Sequence, residues 1–171
     1  MPKGTSTSQQ ISNEIFTLLN AGLLLLLINF TLILFTETTE KVLWYDDAGT
    51  ILWMIGFIFW IIPLVKLRKA GGKRKGANYM NPGKLVTTGI YKYVRHPQYV
   101  GFILFDLGFI GITQQWIPSA MAIISILFII LGTRHEDKNL SILYGKTFED
   151  YRSKVPAFNL FGGIIKAIGN K

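Results

Sequence analysis

The 171-residue sequence predicts an all-α integral membrane fold. It has four transmembrane helices, the last two forming a C-terminal helical hairpin, followed by cytoplasmic amphipathic helices. Three observations predict it. Half of the residues are hydrophobic and only 16% are charged, against about a quarter in an ordinary soluble domain, and mean hydropathy is +0.35. The apolar residues are gathered into four long blocks, as a bilayer solvent requires. All of the 18 Lys and Arg residues except Lys41 fall on one side of those blocks. The length suits one membrane domain over 1–171, with two spans in 1–67, a basic cytoplasmic loop in 68–96, and the hairpin with its helical tail in 97–171.

The first block, Ile15 to Phe35, is a 21-residue stretch without charge, enough to cross hydrocarbon as a helix. The polar segment before it and the lack of a small-residue cleavage site after Phe35 argue against a signal peptide. Ala48 to Val65 is the second span, with Pro63 near its end, where a kink is tolerable. Tyr99 to Thr113, apolar except for Asp106, and Ile117 to Leu131, with Pro118 in a first-turn position, are each 15 residues, shorter than a full span. They become long enough if the first begins near Pro97 and the second runs past Thr133. Gln114-Gln115-Trp116 is then a tight polar turn with an interfacial aromatic.

Charge placement orients the spans. The segment between the second and third blocks carries nine basic residues from Lys66 to Arg95, whereas Glu37 to Asp47 holds four acids and Lys41 alone. The positive-inside rule puts both termini and the long loop in the cytoplasm, in keeping with a multi-pass protein of a prokaryotic plasma membrane. A net charge of +8 is thereby assigned to topology and anionic headgroups, with membrane lipid as partner and no nucleic acid. The absence of cysteine excludes disulfides, thiolate metal sites and a cysteine nucleophile. Two histidines give no metal-ligand pattern, and no metal is expected.

Chemistry gathers at the cytoplasmic edge. Tyr91, Tyr93, Arg95, His96, Gln98 and Tyr99 crowd the start of the third span. Arg134-His135-Glu136-Asp137 follows the fourth, and Leu140, Tyr144, Phe148 and Tyr151 then fall on one face of a predicted helix. The antiparallel hairpin is expected to bring Arg95-His96 and Glu136-Asp137 to one edge, a concave site of mixed charge and aromatic character. Taken singly, each has a plainer role: Arg95 snorkelling to headgroups, His96 opening a helix, Glu136-Asp137 a solvated turn. Asp106 lies inside a span, where a carboxylate is functional or paired. Asn29 or Asn20 would be its partner in a helix–helix contact. Gly101, Gly108 and Gly111 are read as close-packing positions. Phe161, Ile164, Ile165 and Ile168 stand at helical spacing and predict a last helix lying on the membrane surface.

Gly89-Ile90-Tyr91, Arg95-His96-Pro97-Gln98-Tyr99-Val100-Gly101 and the later Glu136-Asp137, Leu140, Tyr144-Gly145, Phe148, Tyr151 and Val155-Pro156 resemble the signature of the isoprenylcysteine carboxyl methyltransferase and phospholipid methyltransferase superfamily. The match covers about Pro82 to Phe158. The resemblance implies an enzyme that moves a methyl group from S-adenosylmethionine to a lipophilic or small acceptor at the cytoplasmic membrane edge. It implies a cofactor site of Gly83, Lys84, Leu85, Val86, Tyr91, His96, Pro97, Gln98, Tyr99 and Glu136. Arg95, His96 and Glu136 are the catalytic candidates, and Arg134 and Asp106 the substrate-binding ones. The sequence departs from the superfamily pattern at Asp137, where a second Glu is usual, and at Gly132, where a substrate-binding arginine commonly stands; Arg134 is two residues before Glu136. An NADPH-dependent membrane reductase acting on lipid or sterol-type substrates, and a non-enzymatic membrane scaffold, are the rival readings.

Overall fold

A computed structural model describes residues 18–32, 42–70 and 84–169. Gly83, Lys73 to Lys75 and both ends of the first expected span lie outside the described residues. The described elements are α1 (Leu18–Leu32), α2 (Leu43–Ala70), a 3-10 turn (Gly89–Lys92), α3 (Pro97–Thr113), α4 (Trp116–Tyr144), α5 (Lys146–Lys154) and α6 (Leu160–Gly169). There is no strand among the described residues.

Among the described residues, two helices are long and apolar enough to cross a membrane: Leu43–Lys69 and Trp116–Tyr144, with mean hydropathies of 2.2 and 2.1. Only 17% and 33% of their most apolar windows are buried by the protein itself. Ile51, Met54, Ile58 and Ile62 on α2 and Ile123 and Leu127 on α4 are exposed, as suits helices whose outer faces meet lipid. Helices α1 and α3 are apolar but shorter. At 17 residues, α3 rises only about 26 Å against roughly 30 Å of hydrocarbon. It begins at Pro97 as expected and ends at Thr113, just before the turn at Gln114.

The chain forms two compact units. The first comprises Met1–Gly56 and Phe102–Asn139. Its helices meet where side chains are missing. A Cβ on Gly49 would lie 2.6 Å from the Gly108 carbonyl oxygen, and one on Gly111 would lie 2.7 Å from that of Tyr45. Backbone thus rests on backbone, the contact that small residues permit between apolar helices; Gly108 and Gly111 fill the role read for them, and Gly49 is their counterpart on α2. Trp53 closes the same interface against Phe105 and Phe109. Polar struts add register. Asn29 Nδ2 donates to the Pro118 carbonyl at 3.0 Å. The Gln114 amide holds both backbone groups of Val42, each at 2.9 Å. Gln114 itself has φ 51, so the expected polar turn is made by a residue in a left-handed conformation, with Trp116 exposed at the head of α4.

The second unit comprises Phe57–Gly101 and Leu140–Lys171. It holds the cytoplasmic end of α2, the 3-10 turn, the first turn of α3, the end of α4, and α5 and α6. Leu140 to Tyr151 is not the single helix that the spacing predicts. Helix α4 runs through Tyr144, Gly145 breaks it at φ 55, and α5 starts at Lys146. A left-handed φ is easy only for glycine, so Gly145 turns the chain and separates Leu140 and Tyr144 from Phe148 and Tyr151.

Candidate active site at the signature segment

The segment from Gly89 to Tyr99 is built by its own residue types. Gly89, at φ 69, opens the 3-10 turn. Pro97, which has no N–H to leave unsatisfied, takes the first position of α3. The residue before a proline is disfavoured in helical backbone, and the amides here find partners in another segment: Arg95 N donates to Pro156 O at 2.9 Å and His96 N to Ala157 O at 3.1 Å. The His96 carbonyl then accepts from Tyr99 N and Val100 N, starting the helix.

Side chains follow from that course. Tyr91, His96, Pro97 and Tyr99 are buried, and Gln98 is half-buried. The His96 imidazole lies nearly parallel to the Tyr99 ring, centroids 5.6 Å apart, with Phe158 on another side at 6.3 Å. Val86 is buried, Leu85 half-buried and Lys84 exposed. The second unit therefore stacks His96 on Tyr99, beside the buried Pro97 that starts α3, and buries Tyr91 in the 3-10 turn. The Nη1 of Arg95 donates to Arg152 O at 2.9 Å and to Val155 O at 2.7 Å.

The remaining candidates belong to the first unit. The inner face of α4 carries Ser125, Ile129, Gly132, Thr133 and Asp137, all buried. Glu136 is half-buried beside that face, and Arg134 is exposed. Gly132, the position where the superfamily commonly has arginine, is a packing site: a Cβ there would meet the Leu19 side chain at 2.6 Å. Asp106 is fully buried. Its partner is Ser125, whose Oγ lies 2.6 Å from Asp106 Oδ2 and 3.0 Å from the Gly22 carbonyl. This corrects the expected pairing with Asn29 or Asn20. Asn29 is committed to Pro118 and Asn20 is exposed. Ser125 could have been found, as one of two hydroxyls in the otherwise apolar run from Ile117 to Leu131. An open, mostly apolar cleft of about 530 Å³ near Tyr45, Gly111 and Trp116 contains none of the expected site residues.

The sequence reading also missed the part played by Tyr151, Pro156 and Ala157. Its only signal for them was the aromatic spacing and the closing Val155-Pro156. Such residues act through backbone groups of a segment about 60 positions away, which no side-chain pattern announces.

The family described as "Protein of unknown function (DUF1295)" matches residues 3–154, and the chain belongs to it, within the isoprenylcysteine carboxyl methyltransferase-like superfamily. It is similar to protein-S-isoprenylcysteine O-methyltransferase of Schizosaccharomyces pombe, 36% identical over 74 residues, which cover 43% of this chain and 31% of that protein. It is similar to methanethiol S-methyltransferase of Crocosphaera subtropica, 34% identical over 83 residues, covering 48% and 31%. With the Xenopus laevis protein-S-isoprenylcysteine O-methyltransferase it shares 28% identity over 135 residues, covering 70% and 45%. The chain thus spans less than half the length of each of these three relatives. No solved structure matches it.

Proposed function

We propose that this protein is an integral membrane methyltransferase that takes its methyl group from S-adenosylmethionine. It would cross the bilayer four times, with both termini in the cytoplasm, where its basic residues lie. The observation that carries the reading is the buried His96–Tyr99 stack within the signature, in a chain whose relatives carry the names of O- and S-methyltransferases.

The residues present fit the donor. Its reacting centre is a sulfonium, a cation attached to a flat nucleoside and an amino acid. Aromatic faces favour a cation by about 0.5–2 kcal/mol according to how far it is desolvated, and Tyr91 and Tyr99 supply them. The His96 imidazole can hydrogen-bond the nucleoside or the carboxylate. Lys84 to Val86 and Gln98 enter the cofactor set on the resemblance to the superfamily, as does Glu136, whose carboxylate would offset the sulfonium charge. When bound, S-adenosylmethionine supplies an electrophilic methyl group and leaves as a neutral thioether. The work of the chain is then to hold donor and acceptor in line and to exclude water. A carboxylate or thiolate acceptor attacks without losing a proton, so no general base is required for either. An amine acceptor would need one, from His96 or Glu136. The acceptor would be lipophilic or small, with access from the bilayer beside the exposed apolar faces of the long helices.

Titration calorimetry of the purified full chain tests the reading. S-adenosylhomocysteine is expected to bind, His96→Ala to weaken it at least tenfold, and NADPH not to bind. Binding of NADPH alone would replace this reading with the reductase one.

A further inference from the structure

Many interactions of the second unit converge on the backbone of Tyr91 to His96. Tyr151 Oη donates to the Tyr91 carbonyl at 2.6 Å. A Cβ on Gly163 would stand 1.7 Å from the Tyr93 carbonyl oxygen, so α6 rests its bare Cα against that group. The amides of Arg95 and His96 donate to Pro156 and Ala157. Both hydrogens of Arg95 Nη1 go to the carbonyls of Arg152 and Val155. Carbonyls at 91 and 93 and amides at 95 and 96 are thus engaged by one stretch, Tyr151 to Gly163.

These contacts have a common physical reason. The signature segment has a 3-10 turn of four residues and no sheet or long helix of its own. Its buried backbone groups must find partners elsewhere, and without them it would sample many conformations. Arg95 also sits where a cation is favoured, because the last carbonyls of α5 have no intrahelical donor and carry the negative end of the helix dipole. A planar guanidinium can serve two such carbonyls at once, while a lysine offers a single point.

Resting on the methyltransferase reading, we propose that Arg95 and Tyr151 are positioning residues. The strap from Tyr151 to Gly163 fixes the course of the signature segment, so that Tyr91 and His96 face the donor in one geometry. Arg95 acts through His96 and not on the reacting atoms, which revises its expected catalytic role.

The test uses the full-length protein as wild type, Tyr151→Phe, Arg95→Lys and the double variant, with Ser125→Ala in the first unit as a stability control. Three quantities are read: affinity for S-adenosylhomocysteine, donor KM and kcat with labelled S-adenosylmethionine and native lipid extract, and amide hydrogen exchange over residues 91–96. Tyr151→Phe is expected to weaken S-adenosylhomocysteine binding three- to tenfold and Arg95→Lys ten- to thirtyfold. The double variant should lose less than the product of the two, because both release the same segment. Donor KM should rise while kcat stays within twofold, and exchange at Arg95 and His96 should accelerate. Ser125→Ala should lower Tm yet leave the affinity within twofold. Wild-type affinity and exchange in folded Tyr151→Phe and Arg95→Lys would overturn the strap while leaving the methyltransferase reading intact. Loss of kcat at saturating donor with unchanged KM would return Arg95 to the catalytic set. A wild type that binds no S-adenosylhomocysteine would overturn the methyltransferase reading, and the positioning role with it, even if the exchange pattern held.

Discussion

The two units are held together by different physics. In the first, apolar helices approach until glycine backbones touch, and the few buried polar groups act as struts: Asn29 to Pro118, Ser125 beside Asp106, Gln114 to Val42. In the second, short elements are fastened by hydrogen bonds to an irregular segment, and the candidate donor residues lie on that segment. Packing against lipid favours small residues, because helix association there gains nothing from expelling water. An irregular binding segment needs its backbone satisfied by neighbours. The comparison teaches that Asp106, the more conspicuous polar residue in the sequence, is paired within the helix packing of the first unit, whereas the unremarkable Tyr151 holds the backbone of the signature segment.

The largest effect should come from breaking the glycine contact. Gly111→Leu would drive a side chain into the Tyr45 carbonyl, and overpacking of this kind costs about 3 kcal/mol. A steep fall in the yield of monodisperse protein, with Tm lowered in whatever survives, is the expected outcome. Next comes Ser125→Ala. It takes the hydroxyl away from a fully buried carboxyl group, and an unmet buried polar group costs about 1–3 kcal/mol. Thermal unfolding in detergent should register that loss. Asp106→Asn sharpens the same point: the amide can donate to Ser125 Oγ, so stability and methyl transfer should both change little. A large loss of turnover in this variant would move Asp106 from the scaffold to the site. The smallest effect belongs to Arg134→Gln. Arg134 is exposed, and stability should stay within about 0.5 kcal/mol, with S-adenosylhomocysteine affinity unchanged. Only acceptor KM should respond, if Arg134 meets the acceptor.

Much of the fold was legible because bilayer solvent writes itself into composition. The uncharged runs located α1 to α4, Pro97 marked the start of α3, and Gln114-Gln115 marked the turn. What failed was local. The spacing of Leu140, Tyr144, Phe148 and Tyr151 fits one helix, yet Gly145 interrupts it, and periodicity cannot see a φ of 55. The partner of Asp106 was missed because many polar residues on neighbouring helices are equally plausible on sequence grounds, and only packing selects Ser125. At the candidate site, the signature pointed to His96 and Tyr99, whose rings stack, and to Tyr91, which is buried. It also pointed to Arg95, and no spacing in the sequence announces the backbone partners of its guanidinium. Its Nη1 donates to the carbonyls of Arg152 and Val155.

The most direct test of the central claim is transfer itself. Purified protein in native lipid extract is given S-adenosylmethionine labelled in its methyl group, and the extract is analysed for labelled product. The account predicts label in a lipophilic or small acceptor with the wild type and at least a tenfold lower rate with His96→Ala. A folded wild type that transfers no label to any component, or a His96→Ala variant that transfers it at the wild-type rate, would contradict it.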